Sequence, residues 1–257
     1  MRKMIELDEY LSKVLNDLRA LPEEKMRLAL LAKRLAPLTP EEAAAFFNIL
    51  YNKDAGDVAA RKARAMLVNP DLLHNAIGAE TCKRIYMASI KLGLRKISRL
   101  FTDLPPHKKG VSGYEEEENA PMEHVPLGAR RTMSKTSAQH VLDRLLSDPD
   151  PVVISNILDN PKITEREVLK IASKRPNSVK IIKLVSGHKK WSRRYAVMSA
   201  IARNPYTPPR ISIALLEMML MQDLKKIAKD KTVHPQVQMS AMDLMEERRA
   251  DKEDVGD

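Results

Sequence analysis

The residues that could do chemistry are few and scattered. Six histidines, His74, His107, His124, His140, His188 and His234, form neither an H-x-x-x-H nor an H-E-x-x-H pair, so their spacing builds no zinc-type site. Cys82 is the only cysteine, which leaves no intramolecular disulfide and no cysteine metal cluster. It precedes Lys83-Arg84, a pair that lowers a thiol pKa where the thiol is exposed, although a lone helical cysteine is more often inert. Glu115–Glu118 is a run of like charge rather than a pair of carboxylates on a rigid element. The chain holds neither a phosphate-cradling glycine motif nor a G-x-S-x-G elbow. The expectation is a non-enzyme with no cofactor, no metal and no evident small-molecule substrate.

What the chain offers instead is positive charge. Its formal net charge is +10, and Lys and Arg outnumber Asp and Glu by 44 to 34. The excess is spread evenly over the two halves, as expected of a mildly basic surface rather than a dedicated nucleic-acid arm. Two clusters stand out. Arg84, Lys91, Arg95 and Arg99 share one sector of a helical wheel, opposite Tyr86, Ile90, Leu94, Ile97 and Phe101. Lys189, Lys190, Arg193 and Arg194 follow His188 directly. These eight residues are the candidate partner-binding set, and they admit two readings. They could contact phosphates, with an affinity that falls steeply with salt. They could equally be solvated faces whose long stems cover neighbouring apolar surface. Aromatic residues are only 4% of the chain, too few to interleave such clusters with bases for stacking.

The elements that must position these residues are helices. Ala, Leu, Ile, Met, Lys, Arg and Glu dominate, Gly is limited to eight, and two-residue alternation is rare, so an all-α protein is expected. Residues 1–103 read as an N-terminal helical domain. Thr39 and Glu42 form a capping box there, Asn69-Pro70 ends a helix, and one long helix runs from Glu80 to about Asp103. Over 104–136 the periodicity stops at Pro105-Pro106, two glycines, the glutamate run, Pro121 and Pro126. That stretch reads as a flexible acidic and Pro-rich linker, with a docking segment around Tyr114 as the other reading. Helices resume over 137–247, and 248–257 reads as a frayed charged tail. No apolar run approaches the roughly 18 to 20 residues that span a bilayer, and the N-terminus lacks a secretory core, so the expected location is the cytoplasm.

The second half is self-similar. Trp191, Tyr195, Val197, Met198 and Ile201 make an apolar stripe leading into Asn204-Pro205, with Thr207 and Pro208 placed to open the next helix. Val153, Ile157 and Leu158 lead likewise into Asn160-Pro161, where Thr164 and Glu167 make a second capping box. The two Asn-Pro pairs stand 44 residues apart, and a partial copy follows at 230–245. Met218, Met219 and Met221 read either as buried packing or as an adaptable binding face. The D-P-D-P-x-V opening at Asp148–Val153 resembles the turn and second helix of a HEAT repeat, and N-P-x-T-P-P at Asn204–Pro209 resembles the leucine-rich-repeat variant. The cysteine cluster of the variant family is missing, so no iron–sulfur site carries over.

This resemblance implies stacked helix hairpins forming a HEAT-like α-solenoid, in two helical lobes joined by a mobile linker, with a curved surface that binds a macromolecule. The expected function is therefore a non-catalytic adaptor or scaffold for another protein with an acidic surface. Nucleic-acid binding through the basic helix faces is the alternative. A HEAT-like DNA glycosylase comes last, because such a site needs aromatic rings and a carboxylate in its groove, and the lone Trp191 sits in an apolar stripe.

Overall fold

Cap chemistry shows why the helices begin where they do. In the computed structural model, which describes residues 2–53, 57–66, 70–110, 122, 124–136 and 138–254, Glu42 N donates to Thr39 Oγ1 at 3.2 Å and Thr39 N donates to Glu42 Oε2 at 3.0 Å. A second box forms where Thr164 N and its hydroxyl both donate to Glu167. Each box satisfies N-terminal amides that have no partner within the helix. The described residues form sixteen helices and no strand. They fall into two compact units, Met1–Asp103 and Leu104–Asp257.

Unit 1 contains α1 (Arg2–Ala20), α2 (Glu24–Leu35), α3 (Pro40–Asn52), α4 (Val58–Met66), α5 (Pro70–Ile77), α6 (Ala79–Lys91) and α7 (Arg95–Leu100). Helix α3 lies at its centre, packed on α1, α4, α6 and α7. The position of α3 follows from its composition, since Ala43, Ala44, Phe46, Phe47, Leu50 and Tyr51 are all buried. Phe46 and Phe47 meet edge to face at 5.7 Å between centroids, and Tyr10 and Phe101 extend the cluster at 6.5 and 5.0 Å. Such pairs add about 0.5–1.5 kcal/mol each beyond the area they bury. The Asn69 ending inferred from sequence lies outside the described residues.

The long helix expected from Glu80 to Asp103 is two helices. Gly93 takes φ +69°, Gly93 N donates to Ile90 O, and Leu94 N donates back to Ser89 O at 2.8 Å. This is a Schellman ending, which needs a left-handed residue that glycine supplies without a Cβ penalty. The break also rotates the wheel. Cys82, Ile85, Ala88 and Ser89 are the buried face of α6, whereas Ile90 is 52% exposed.

Unit 2 begins inside the stretch expected to be a linker. Lys108 N donates to Pro205 O at 3.0 Å, the rings of His107 and His234 lie 6.4 Å apart, and a Cβ on Gly110 would come within 3.2 Å of Asn177 O. Residues 127–136 are helix α8 (Leu127–Thr136), followed by α9 (Gln139–Leu145), α10 (Pro151–Asp159), α11 (Glu165–Ser173), α12 (Val179–Gly187), α13 (Tyr195–Ala202), α14 (Pro209–Leu216), α15 (Met221–Lys229) and α16 (Pro235–Asp254). Two ion pairs tie α8 to the segment that opens α10. Arg130 is buried with its Nε 2.8 Å from Asp148 Oδ2, and Arg131 forks onto Asp150 at 3.1 and 2.9 Å. The D-P-D-P motif thus supplies both anions, and Asp150 also caps α10 through the amides of Val152 and Val153. The glutamate run and Tyr114 lie outside the described residues.

Alternate helices of unit 2 stack on one another: α8 on α10, α10 on α12, α11 on α13, and α14 on α16. Asparagines after the helix ends clasp two of these pairs. Asn160 Nδ2 donates to the carbonyls of Ser134 and Lys135, and Asn204 Nδ2 donates to those of Ala172 and Lys174. Each fills C-terminal acceptors of a neighbouring helix that would otherwise lack a partner. The two clasps end α10 and α13, which belong to different stacks, so the 44-residue spacing is not the structural period. Stacked helices start 24 to 30 residues apart, as Leu127 and Pro151 or Glu165 and Tyr195 show.

Three further expectations change here. Trp191 lies in the turn before α13 rather than on a helix, although it is buried and its Nε1 donates to Leu158 O at 2.8 Å. The Thr207 hydroxyl donates back to Ile201 O, and α14 starts at Pro209. The charged tail continues α16 to Asp254, and Arg248 anchors it by donating to Met219 O and Glu217 O.

Candidate partner-binding faces

The first basic cluster is divided by the Gly93 break. Arg84 and Lys91 stand exposed on α6, Arg95 is exposed on α7, and Arg99 is half-buried and already engaged. Lys83, Arg84, Met87, Ile90 and Lys91 fall within about a third of a turn on the side of α6 opposite its buried face. Met87 is 59% exposed, Ile90 52% and Leu92, at the end of the helix, 46%. An open groove of about 400 Å³ runs between this face and Pro40 and Glu41 at the start of α3. Lys91 Nζ is 3.6 Å from Glu41 Oε1, and with side chains 75% and 46% exposed that pair contributes little to stability. The face therefore has Met87 and Ile90 in the middle, Lys83, Arg84 and Lys91 along it, and Glu41 and Glu80 on the lining of the groove.

The second cluster occupies the turn between α12 and α13. Lys189, Lys190, Arg193 and Arg194 are all exposed there. Lys190 Nζ lies 4.0 Å from the centre of the Trp191 ring, a cation–π contact, and Arg194 Nε is 3.9 Å from Glu165. His188 organises the turn. Its Nδ1 accepts from the amides of Lys190 and Trp191 while its Nε2 lies 3.1 Å from Asp159 Oδ1, so the neutral ring protonated on Nε2 satisfies all three contacts.

The ionisable groups with displaced pKa values serve the fold. The Tyr195 hydroxyl donates to Asp223 Oδ2 and accepts from Leu220 N. That bond, followed by Lys226, holds the Asp223 carboxyl below the usual carboxylate range, while burial and Asp223 push the Tyr195 phenol up. Burial works against the charge of Asp150, but the Arg131 fork and the capping amides outweigh it and lower its pKa. For Asp148 burial wins over the Asp150 amide and Arg130, and its pKa is raised. Among the described residues no group of three His, Cys, Asp or Glu side chains is placed to hold a metal ion.

Sequence reasoning missed residues on both units. The wheel drawn through Gly93 put Ile90 in the core and left Met87 unremarked. A second basic face, carried by Arg166, Lys170, Lys225, Lys226 and Lys229, is spread over 64 positions and needed the stacking of helices to become visible. The signal was present as i, i+4 and i+3/i+4 spacing within each helix. Met219 is buried, as the packing reading held, whereas Met218 and Leu220 are 40% and 55% exposed. Among the described residues no helix is long and apolar enough to cross a membrane. Set against family models, characterised proteins and solved structures, the chain matches none.

Proposed function

We propose that this chain is a non-catalytic, HEAT-like helical adaptor whose α6 face docks an acidic amphipathic segment of another protein. The observation that carries the reading is the exposed pair Met87 and Ile90 beside Lys83, Arg84 and Lys91. Apolar groups left together on a surface favour a partner that buries them, and the cations favour a partner carrying acids around its own apolar stripe. A helix with Leu or Ile at i, i+3/i+4 and i+7 and Glu between has that pattern. The stacked helices of unit 2 and their terminal clasps support the solenoid part of the reading. The single, buried Cys82 suits a reducing compartment such as the cytoplasm.

The test is fluorescence anisotropy with labelled 20-residue helical peptides of that pattern against scrambled controls. The full chain should bind the patterned peptides with a Kd of about 10 μM or tighter. Met87→Gln with Ile90→Gln keeps helix propensity and should weaken binding at least about tenfold with unchanged circular dichroism. Absence of binding, or binding indifferent to both changes, refutes the docking face.

A further inference from the structure

Three helices of unit 2 present a second face with a different composition. Helices α11, α13 and α15 run parallel, because their like ends are tied to one another. At the N-terminal ends Arg194 meets Glu165, and Tyr195 bonds Asp223 and Leu220 N. At the C-terminal ends Asn204 bonds the carbonyls of Ala172 and Lys174, and Arg203 lies 3.9 Å from Asp230. Each helix buries one side, Val168, Ile171 and Ala172 on α11, Val197, Met198, Ile201 and Ala202 on α13, and Asp223, Leu224 and Ile227 on α15. The residues opposite those sides line one surface.

That surface has two basic ridges and a low floor. Arg166 and Lys170 are exposed on α11, and Lys225, Lys226 and Lys229 on α15. Between them α13 offers Ala196, Ser199 and Ala200, side chains too short to rise above the ridges. The acids nearby are already engaged: Glu165 with Arg194, Asp223 with Tyr195 and Lys226, and Asp230 with Arg203 and Thr232. Within the described residues Arg166, Lys225 and Lys229 have no ion-pair partner, while Lys170 is close enough to the buried Glu167 to help lower its pKa. Packed helices lie about 8–10 Å apart, and α15 is tied to α13 through contacts at its ends, so the two ridges are at least roughly 16 Å apart.

We infer that this face binds the sugar–phosphate backbone of a nucleic-acid duplex. Exposed cations on two ridges give electrostatic complementarity to a polyanion and recruit no apolar contact. The ridge separation is too wide for one strand of phosphates and is on the scale of a duplex, whose major groove is about 12 Å wide. A single strand is disfavoured, because base stacking needs exposed rings. The aromatic side chains near this face are the buried Trp191 and the half-buried Tyr195 and Tyr206. Phosphate contacts of this kind position a duplex without reading its sequence. Arg193 and Arg194 stand at the N-terminal edge of the same face and would extend the contact.

The test is anisotropy of labelled 25-base-pair DNA and RNA duplexes of random sequence with the full chain, at about 50 and 200 mM salt. Four to six phosphate contacts predict micromolar binding at the lower salt and a loss of roughly 10²- to 10³-fold at the higher. Arg166→Gln with Lys170→Gln, and separately Lys225→Gln with Lys229→Gln, should each flatten the slope of log K against log salt by about 2. All four residues are exposed, so circular dichroism should not change, and the two pairs test the ridges independently. A preference for DNA over RNA, or the reverse, identifies which duplex shape fits and supports the inference either way. No binding at 50 mM, slopes that neither pair alters, or tighter binding to a single strand or to poly-glutamate than to a duplex overturns it.

Discussion

Two basic faces on one chain differ in what lies between the charges. On α6 of unit 1 the cations Lys83, Arg84 and Lys91 accompany exposed Met87 and Ile90. On α11, α13 and α15 of unit 2 the cations stand beside Ala196, Ser199 and Ala200. Charge alone does not distinguish these surfaces, and both would appear as basic stripes on a wheel. The intervening side chains do. Large apolar groups make removal from water a driving force that salt scarcely weakens, whereas small ones leave only electrostatics, which salt screens. The first face is thus suited to a folded or folding protein segment and the second to a rigid polyanion.

The units also differ in how they are held together. Unit 1 closes around aromatic rings, with Phe46, Phe47, Tyr10 and Phe101 in contact. Unit 2 stacks short helices and clasps their ends with polar groups, namely Arg130 on Asp148, Asn160, Asn204 and the Trp191 indole. The largest effect should therefore come from removing a clasp. Arg130→Ala strands the buried Asp148 carboxylate and should cost about 3–5 kcal/mol in urea unfolding. Burial already raises the Asp148 pKa, outweighing the Asp150 amide and Arg130. The cost should accordingly shrink as pH falls through that raised value, and a cost independent of pH would mean the ion pair is not the cause.

Next in size is the contrast in salt. Raising salt from about 50 to 200 mM should weaken duplex binding by roughly 10²- to 10³-fold but peptide binding by less than about tenfold. Equal losses would erase the distinction between the faces. Replacing Met87 and Ile90 by Gln should lower peptide affinity about 10- to 100-fold and leave duplex affinity unchanged, a pattern read by anisotropy with both ligands. Asn204→Ala should destabilise unit 2 by about 1–3 kcal/mol, since the Ala172 and Lys174 carbonyls lose a buried donor. Thermal melts that leave it within about 0.5 kcal/mol of the parent would show that water replaces the clasp.

The smallest effect is acid sensitivity. Asp150, Glu167, Asp223 and Asp230 in unit 2 and Asp57 in unit 1 are held below their ordinary pKa values. A depressed carboxylate contributes stability above its unfolded pKa, near 4, and loses it as pH falls through the folded value. With four such groups against one, unit 2 should soften first below about pH 4, as hydrogen exchange resolved by residue would show. Earlier protection loss in unit 1 would contradict this.

Local chemistry was legible in the sequence because its partners are neighbours in the chain. Both capping boxes and the all-helical composition depend on residues three or four apart. The Gly93 break was missed because a glycine inside an apolar-periodic stretch reads as a tolerated defect unless its φ is known. Helix α8 was missed because its support is Asp148 and Asp150, 18 and 19 positions on from Arg130 and Arg131. The basic turn at Lys189–Arg194 was visible as a run. The ridges on α11 and α15 became one surface only through the Tyr195–Asp223 and Arg203–Asp230 ties, which join residues 27 or 28 positions apart.

The measurement that bears most directly on the account is a competition. A labelled, patterned acidic peptide is bound to the full chain at about 50 mM salt, and unlabelled 25-base-pair DNA is added to saturation. Distinct faces predict that the peptide anisotropy is retained and rises with the mass of the duplex. Displacement of the peptide by DNA would contradict the account, because it would mean one basic surface takes both ligands by charge alone.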